Sequence, residues 1–226
     1  MVKNNNSYWN RSVHTKLSYW FVVIAVSIEL FLGLRNSTTS FGQLALIEAS
    51  FGFIGIIFVD WMHGQRFTLS YKRIKFKRSK NLFIRAMTCF IVIAIIQFVF
   101  QIIPLITSTE MAMAIIFAAV CEEYFFRGMM MEPFFRFGRT SKDKFELFRG
   151  KKISYIELFG ILFSAVAFAA FHVNYYKNER LIGMVFVGGL WIAFCYWYWK
   201  DITIVIIAHA ILNAIFVIQF YQVFLP

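Results

Sequence analysis

The stretch LFIRAMTCFIVIAIIQFVFQIIPLI, residues 82–106, carries a single charge, Arg85, close to its start. A helix rises about 1.5 Å per residue and the hydrocarbon layer of a bilayer is about 30 Å thick, so this run is long enough to cross a membrane. Six more apolar runs accompany it, at Ser18 to Leu34, Phe41 to Trp61, Glu110 to Met131, Ile156 to Val173, Leu181 to Trp199 and Ile202 to Phe224. The expected fold is all-α: a polytopic transmembrane bundle of about seven helices, one integral membrane domain over residues 1–226.

Composition agrees with that expectation. The chain is 60% apolar and 20% aromatic, with 29 phenylalanines and a mean hydropathy of +0.65. A water-soluble core has no room for so much apolar surface, whereas lipid accepts it. The first run lacks a small-x-small cleavage site, so it is expected to stay attached as a span. Cys89, Cys121 and Cys195 fall inside apolar runs without metal-type spacing and are expected to pack as small hydrophobes.

The formal net charge of +11 would suggest nucleic acid in a soluble protein. Here the cations sit in blocks between apolar runs, so anionic lipid headgroups are the expected partner and nucleic acid is not. With the amino terminus inside, the inner segments hold nineteen cations and the outer segments only Arg35, Lys177 and Arg180. Basic loops stay on the cytoplasmic side, which places the amino terminus and residues 1–17 in the cytoplasm. Tyr71 to Lys80 mixes Ile74 and Phe76 with six cations, the pattern of a segment lying at the headgroups. Thr107 to Thr109 is so short a connection that spans three and four are expected to form a tight antiparallel pair. The small size and short loops point to a bacterial plasma membrane.

One cation, Arg127, lies within a span, where an ionisable group costs roughly 2.5–3.5 kcal/mol even on lenient insertion scales. Glu123 stands four residues before it on the same helical face, so the two can pair. Glu122 is turned about 100° away, onto the face that carries Ala114 and Ala118. Small residues at four-residue steps admit a neighbouring helix, which turns this carboxylate into the bundle. Alternatively the cluster snorkels to the inner interface and merely anchors the helix.

Span five ends at His172, and span seven carries His209 and Asn213 four residues apart on one face. A lone histidine at a helix end is usually interfacial. Two histidines, an asparagine and two glutamates in three helices instead supply a base, an imidazole to share its proton and donors for a developing oxyanion. That inventory fits attack of water on a carbonyl. Neither Gly-x-Ser-x-Gly nor His-Glu-x-x-His occurs, so no standard serine hydrolase or zinc motif is present. Glu29 and Glu48 are read as structural acids in spans one and two, with substrate contact left open.

The segments Glu122-Glu-Tyr-Phe-Phe-Arg127, Phe168-Ala-Ala-Phe-His172 and His209-Ala-Ile-Leu-Asn213 resemble, in order and on separate helices, the three motifs of the CAAX-processing and bacteriocin-processing (Abi) protease family. The similarity spans roughly residues 110–214. It implies a glutamate-dependent intramembrane endopeptidase acting on a membrane-associated protein or peptide of CAAX, bacteriocin-leader or signalling type, entering from the membrane or the cytoplasm. By the same resemblance Glu122 is the general base, His172 helps to hold the water, His209 and Asn213 are the oxyanion donors, and Glu123 with Arg127 fixes the first glutamate. No cofactor is expected. Members have also been described as metalloproteases, and two histidines with two glutamates leave zinc as an alternative. A non-catalytic immunity or scaffold protein of the same family is the competing function. A proton-coupled transporter would also use buried Glu and His, but it predicts inverted repeats or broken helix pairs that the sequence lacks. One tension concerns depth: Glu122 and His209 lie roughly 15 and 10 Å from the inner ends of their expected helices, while His172 lies near the outer end of span five.

Overall fold

The computed structural model describes residues 80–100, 109–173 and 178–224. The expected spans at Ser18 to Leu34 and Phe41 to Trp61, the segment 1–17 and residues 71–79 lie outside the described residues, as do Glu29 and Glu48. The chain forms Lys80–Phe100 (α1), Thr109–Glu123 (α2), a π-helical segment Tyr124–Met131, Glu132–Arg139 (α3), Lys144–Phe148 (β1), Lys151–Ser154 (β2), Tyr155–His172 (α4), Glu179–Trp199 (α5) and Ile202–Phe224 (α6). Among the described residues, four helices are long and apolar enough to cross a membrane: Asn81–Phe100, Tyr155–His172, Glu179–Trp199 and Ile202–Gln219. They fall on the expected spans three, five, six and seven.

Helix α4 shows how the sequence sorts its faces. Tyr155, Phe159, Leu162 and Val166 follow at steps of three and four residues and are all exposed, an apolar stripe suited to lipid. The opposite face buries Gly160, Ile161, Ser164, Ala165 and Phe168 against its neighbours. At its start Ser154 and Glu157 form a capping box: the Ser154 side chain accepts from Glu157 N, and the Glu157 carboxylate accepts from Ser154 N at 3.0 Å.

Among the described residues, α1 and α2 do not form the tight antiparallel pair that the short connection between spans three and four predicts. Helix α1 packs on α5 and α6, and α2 packs chiefly on α6. Two polar clamps draw the helices together this way. The Trp191 indole of α5 donates to the Cys89 carbonyl of α1 at 3.1 Å, and the Asn213 amide of α6 donates to the Ile115 carbonyl of α2 at 2.8 Å. Each removes a polar group from an apolar setting, where leaving it unpaired costs about 1–3 kcal/mol.

The helix expected as span four is longer than expected and is not uniform. Thr109 to Arg139 is helical throughout, but Tyr124–Met131 is wound as a π-helix. Pro133, in the first turn of α3, supplies the cause: its ring has no N–H to return and clashes with the preceding turn, so the winding upstream widens. The Ser164 hydroxyl of α4 donates to the Phe126 carbonyl inside that segment at 3.1 Å.

The loop after α3 corrects the all-α expectation. Residues 144–154 form an antiparallel hairpin pairing Phe145 with Ile153 and Phe148 with Lys151. Its two-residue turn, Arg149 and Gly150, has φ of 46° and 75°, the positive pair that matches the twist of a tight hairpin. Hairpin, α3 and the α5–α6 junction meet at one end of the bundle. There Lys200 reaches within 3.7 Å of Glu157 and lies 3.5 Å over the Phe135 ring. Phe100 of α1 lies beside Gly183 of α5 at the other end. Lys80, the hairpin cations and Lys200 are thus gathered at one end, and Arg180 lies at the opposite one.

Candidate active site

Three helices bring the three motifs together. Glu122 on α2 presents one carboxylate oxygen to His172 Nε2 at 3.7 Å and the other to His209 Nε2 at 3.9 Å. The extended helix brings Glu122 and His172 to one depth. Glu122 lies seventeen residues before Arg139, and His172 lies seventeen residues after Tyr155. With α3 and α4 running back to back, both side chains rise roughly 25 Å from the same end.

The neighbouring Glu123 does something different. Its two oxygens hold Arg127 Nε at 3.2 Å and His209 Nδ1 at 2.9 Å, and both Glu123 and Arg127 are 0% exposed. Arg127 Nη2 donates in turn to the Gly189 carbonyl on α5 at 3.2 Å, and its guanidinium stands 4.6 Å from the Phe168 ring centre. The pairing expected from the four-residue spacing is present, and the structure adds His209 to it. Glu123 therefore fixes an imidazole as well as a guanidinium.

These contacts decide which ring nitrogens point where. A carbonyl only accepts, so His172 Nδ1, 2.7 Å from the Phe168 carbonyl, is the donor of that bond. The Glu123 carboxylate, beside Arg127, likewise accepts from the Nδ1–H of His209. In the neutral form both Nε2 atoms then turn a lone pair toward Glu122, and the group that best fills the gap is one that donates. A water molecule does so with one hydrogen to the carboxylate and one to an imidazole. His209 can serve as an oxyanion donor only as an imidazolium, with Nε2 protonated too. Of the two N–H bonds of Asn213, one already goes to Ile115, which leaves one for a substrate oxygen.

The same atoms bear on zinc. Among the described residues, no group of three or more His, Cys, Asp and Glu side chains is arranged to hold a metal ion. Two ligands about 2.0–2.1 Å from a tetrahedral zinc stand roughly 3.4 Å apart, and two groups bonded to one water at about 2.8 Å stand roughly 4.5 Å apart; the 3.7 and 3.9 Å separations lie between the two.

Glu122, His172, His209 and Asn213 line an open cavity of about 100 Å³ whose remaining wall is almost wholly apolar. Several of its residues escape a motif-based reading. Gly189 lets α5 approach so closely that a Cβ there would meet Phe168 Cδ1 at 2.9 Å, and only the Gly188-Gly189 doublet in an apolar span hints at it. Phe168 touches Arg127, His172 and His209 with its ring, which gives the first residue of the second motif a packing role. Gln97 of α1 also lines the cavity, far in sequence from every motif. Cys89 and Cys195 are buried free thiols and Cys121 a half-buried one.

A carboxylate, two imidazoles and an amide gathered around a cavity inside an apolar helix bundle define the class: a polar reaction centre embedded among membrane helices. The family model described as Type II CAAX prenyl endopeptidase Rce1-like matches residues 104–215, about half of the chain and all three motifs. The chain belongs to this CAAX-processing (Abi) protease family, a family of hydrolases, and is an integral membrane protein. No curated protein and no solved structure gave a match.

Proposed function

We propose that the chain is a glutamate-dependent intramembrane endopeptidase that hydrolyses a peptide bond of a membrane-associated protein or peptide, of CAAX, bacteriocin-leader or signalling type. The observation that carries this reading is the placement of the Glu122 carboxylate opposite the Nε2 atoms of His172 and His209, on the wall of the cavity. Glu122 takes a proton from a water whose other hydrogen is held by His172, and the water oxygen attacks the carbonyl carbon. The carbonyl electron pair moves onto oxygen, which accepts from the remaining Asn213 N–H and from a protonated His209. Glu122 then returns its proton to the leaving nitrogen as the C–N bond breaks. Glu123 and Arg127 act behind this set by holding His209.

The enzyme works in this reading without a cofactor, in a bacterial plasma membrane, with the basic end of the bundle in the cytoplasm. Cysteines placed singly in a background lacking Cys89, Cys121 and Cys195 test the orientation. An impermeant reagent outside the cell is expected to label position 177 and leave position 144 untouched, and the reverse pattern overturns it. The chemistry is tested with purified Glu122→Gln, which keeps size and a carbonyl acceptor but cannot take a proton at neutral pH. Peptide cleavage should vanish while the protein inserts, folds and binds peptide as before. Cleavage at the unmodified rate removes the mechanism, and an unchanged phenotype in cells supports the immunity or scaffold role instead.

A further inference from the structure

Helix α1 lies outside residues 104–215, the part of the chain that matches the family, yet it forms one wall of the cavity. Ile93, Ile96 and Gln97 line it, and their spacing of three and four residues puts them on one helical face. Most of this helix is apolar and much of it is exposed in the manner of a lipid-facing span, Ile91, Ile95 and Phe98 among the exposed residues. Thr88, its other uncharged polar side chain in the central turns, bonds back to the Ile84 carbonyl at 2.9 Å and so satisfies itself. Gln97 has no such solution. Its amide meets no hydrogen-bond partner among the described residues, and it points into the cavity whose wall also carries Glu122, His172, His209 and Asn213.

An amide carries both a donor and an acceptor, the pair that a peptide backbone offers in return. Met184 and Val185 of α5 continue the wall beside Ile93 and Ile96, so the space next to Gln97 is apolar. A substrate held here meets one polar side chain for its backbone and a greasy surface for the side chain beside it. We infer that Gln97 is a substrate-positioning residue: it hydrogen-bonds the backbone amide of the residue next to the scissile bond, whose apolar side chain lies against Ile93, Ile96 and Val185. This rests on the endopeptidase reading for the identity of the ligand as a peptide, but the binding contact itself needs no catalysis.

The test uses the full chain in lipid nanodiscs and a lipid-anchored fluorogenic peptide with apolar residues flanking its reporter bond. A second peptide is N-methylated at the amide next to that bond. Gln97→Leu suits an apolar span, so insertion and folding are expected to be unharmed. Loss of one hydrogen bond should weaken binding of the first peptide roughly threefold to tenfold, with KM rising and kcat little changed. N-methylation should weaken binding to the unmodified protein by a similar factor and have little further effect on Gln97→Leu. Equal binding of the first peptide by both proteins, or an N-methyl penalty that persists in Gln97→Leu, overturns the inference. The endopeptidase reading is judged separately, by cleavage and its loss in Glu122→Gln. Cleavage without dependence on Gln97 removes this inference alone, whereas Gln97-dependent binding without cleavage removes only the endopeptidase reading. A protein that neither binds nor cleaves the peptide overturns both.

Discussion

Two buried glutamates, at opposite ends of α4's neighbourhood, show how differently the same side chain is used. At the basic end Glu157 caps its own helix through Ser154 and stands 3.7 Å from Lys200, so its oxygens are taken up in joining the hairpin to the bundle. In the cavity Glu122 faces His172 and His209 at 3.7 and 3.9 Å, too far for a direct hydrogen bond and near enough for one water to bridge from the side. Glu123 resembles Glu157, with both oxygens engaged at 2.9 and 3.2 Å. The contacts of 2.9 to 3.2 Å around Glu123 and Glu157 build structure, and the wider spacing between Glu122 and the two imidazoles suits a reactant shared among them.

The largest difference between the ends is expected from removing charge alone. Glu122→Gln should reduce cleavage by at least 10²–10⁴, the usual contribution of a general base, with the melting temperature unchanged. Glu157→Gln should leave turnover per folded molecule intact and lower the melting temperature instead. Equal losses of turnover in both variants would erase the distinction.

Next in size is the buried pair. Replacing Glu123 or Arg127 singly leaves its partner charged among apolar helices, a loss of about 3–5 kcal/mol in thermal or denaturant unfolding. Replacing both together should cost less than the sum of the two. An additive result would show that the 3.2 Å contact contributes nothing as a pair.

Asn213→Ala follows, with a loss of roughly 10²–10³ in kcat for one oxyanion donor. Because Asn213 also holds the Ile115 carbonyl, some stability should be lost as well. A variant that is destabilised but turns over normally would assign Asn213 wholly to packing. Ser154→Ala should be the mildest, about 1 kcal/mol for a lost cap, with kcat and KM untouched.

Much of this was legible in the residues. Length and hydropathy locate α1, α4, α5 and α6, because a bilayer demands long apolar helices and little else in a sequence resembles them. The four-residue spacing of Glu123 and Arg127 gives their pairing, since both share one helical face. What stayed hidden depends on tertiary placement. Nothing local says that His209 bonds Glu123, that α6 rather than α2 packs on α1, or that Gly189 admits Arg127 and Phe168. Pro133 signals a disturbance, but not that it appears as a π-helix over Tyr124–Met131. The hairpin was masked by its own cations: Lys144, Lys151 and Lys152 read as headgroup contacts, and Arg149-Gly150 is a weaker turn signal than Asn-Gly.

The central claim is that Glu122 activates water directly. Its most direct test is the cleavage rate of the purified protein and of Glu122→Gln after exhaustive dialysis against a strong chelator. Full activity is expected of the unmodified protein and none of the variant. Activity that disappears on dialysis and returns with zinc would contradict it.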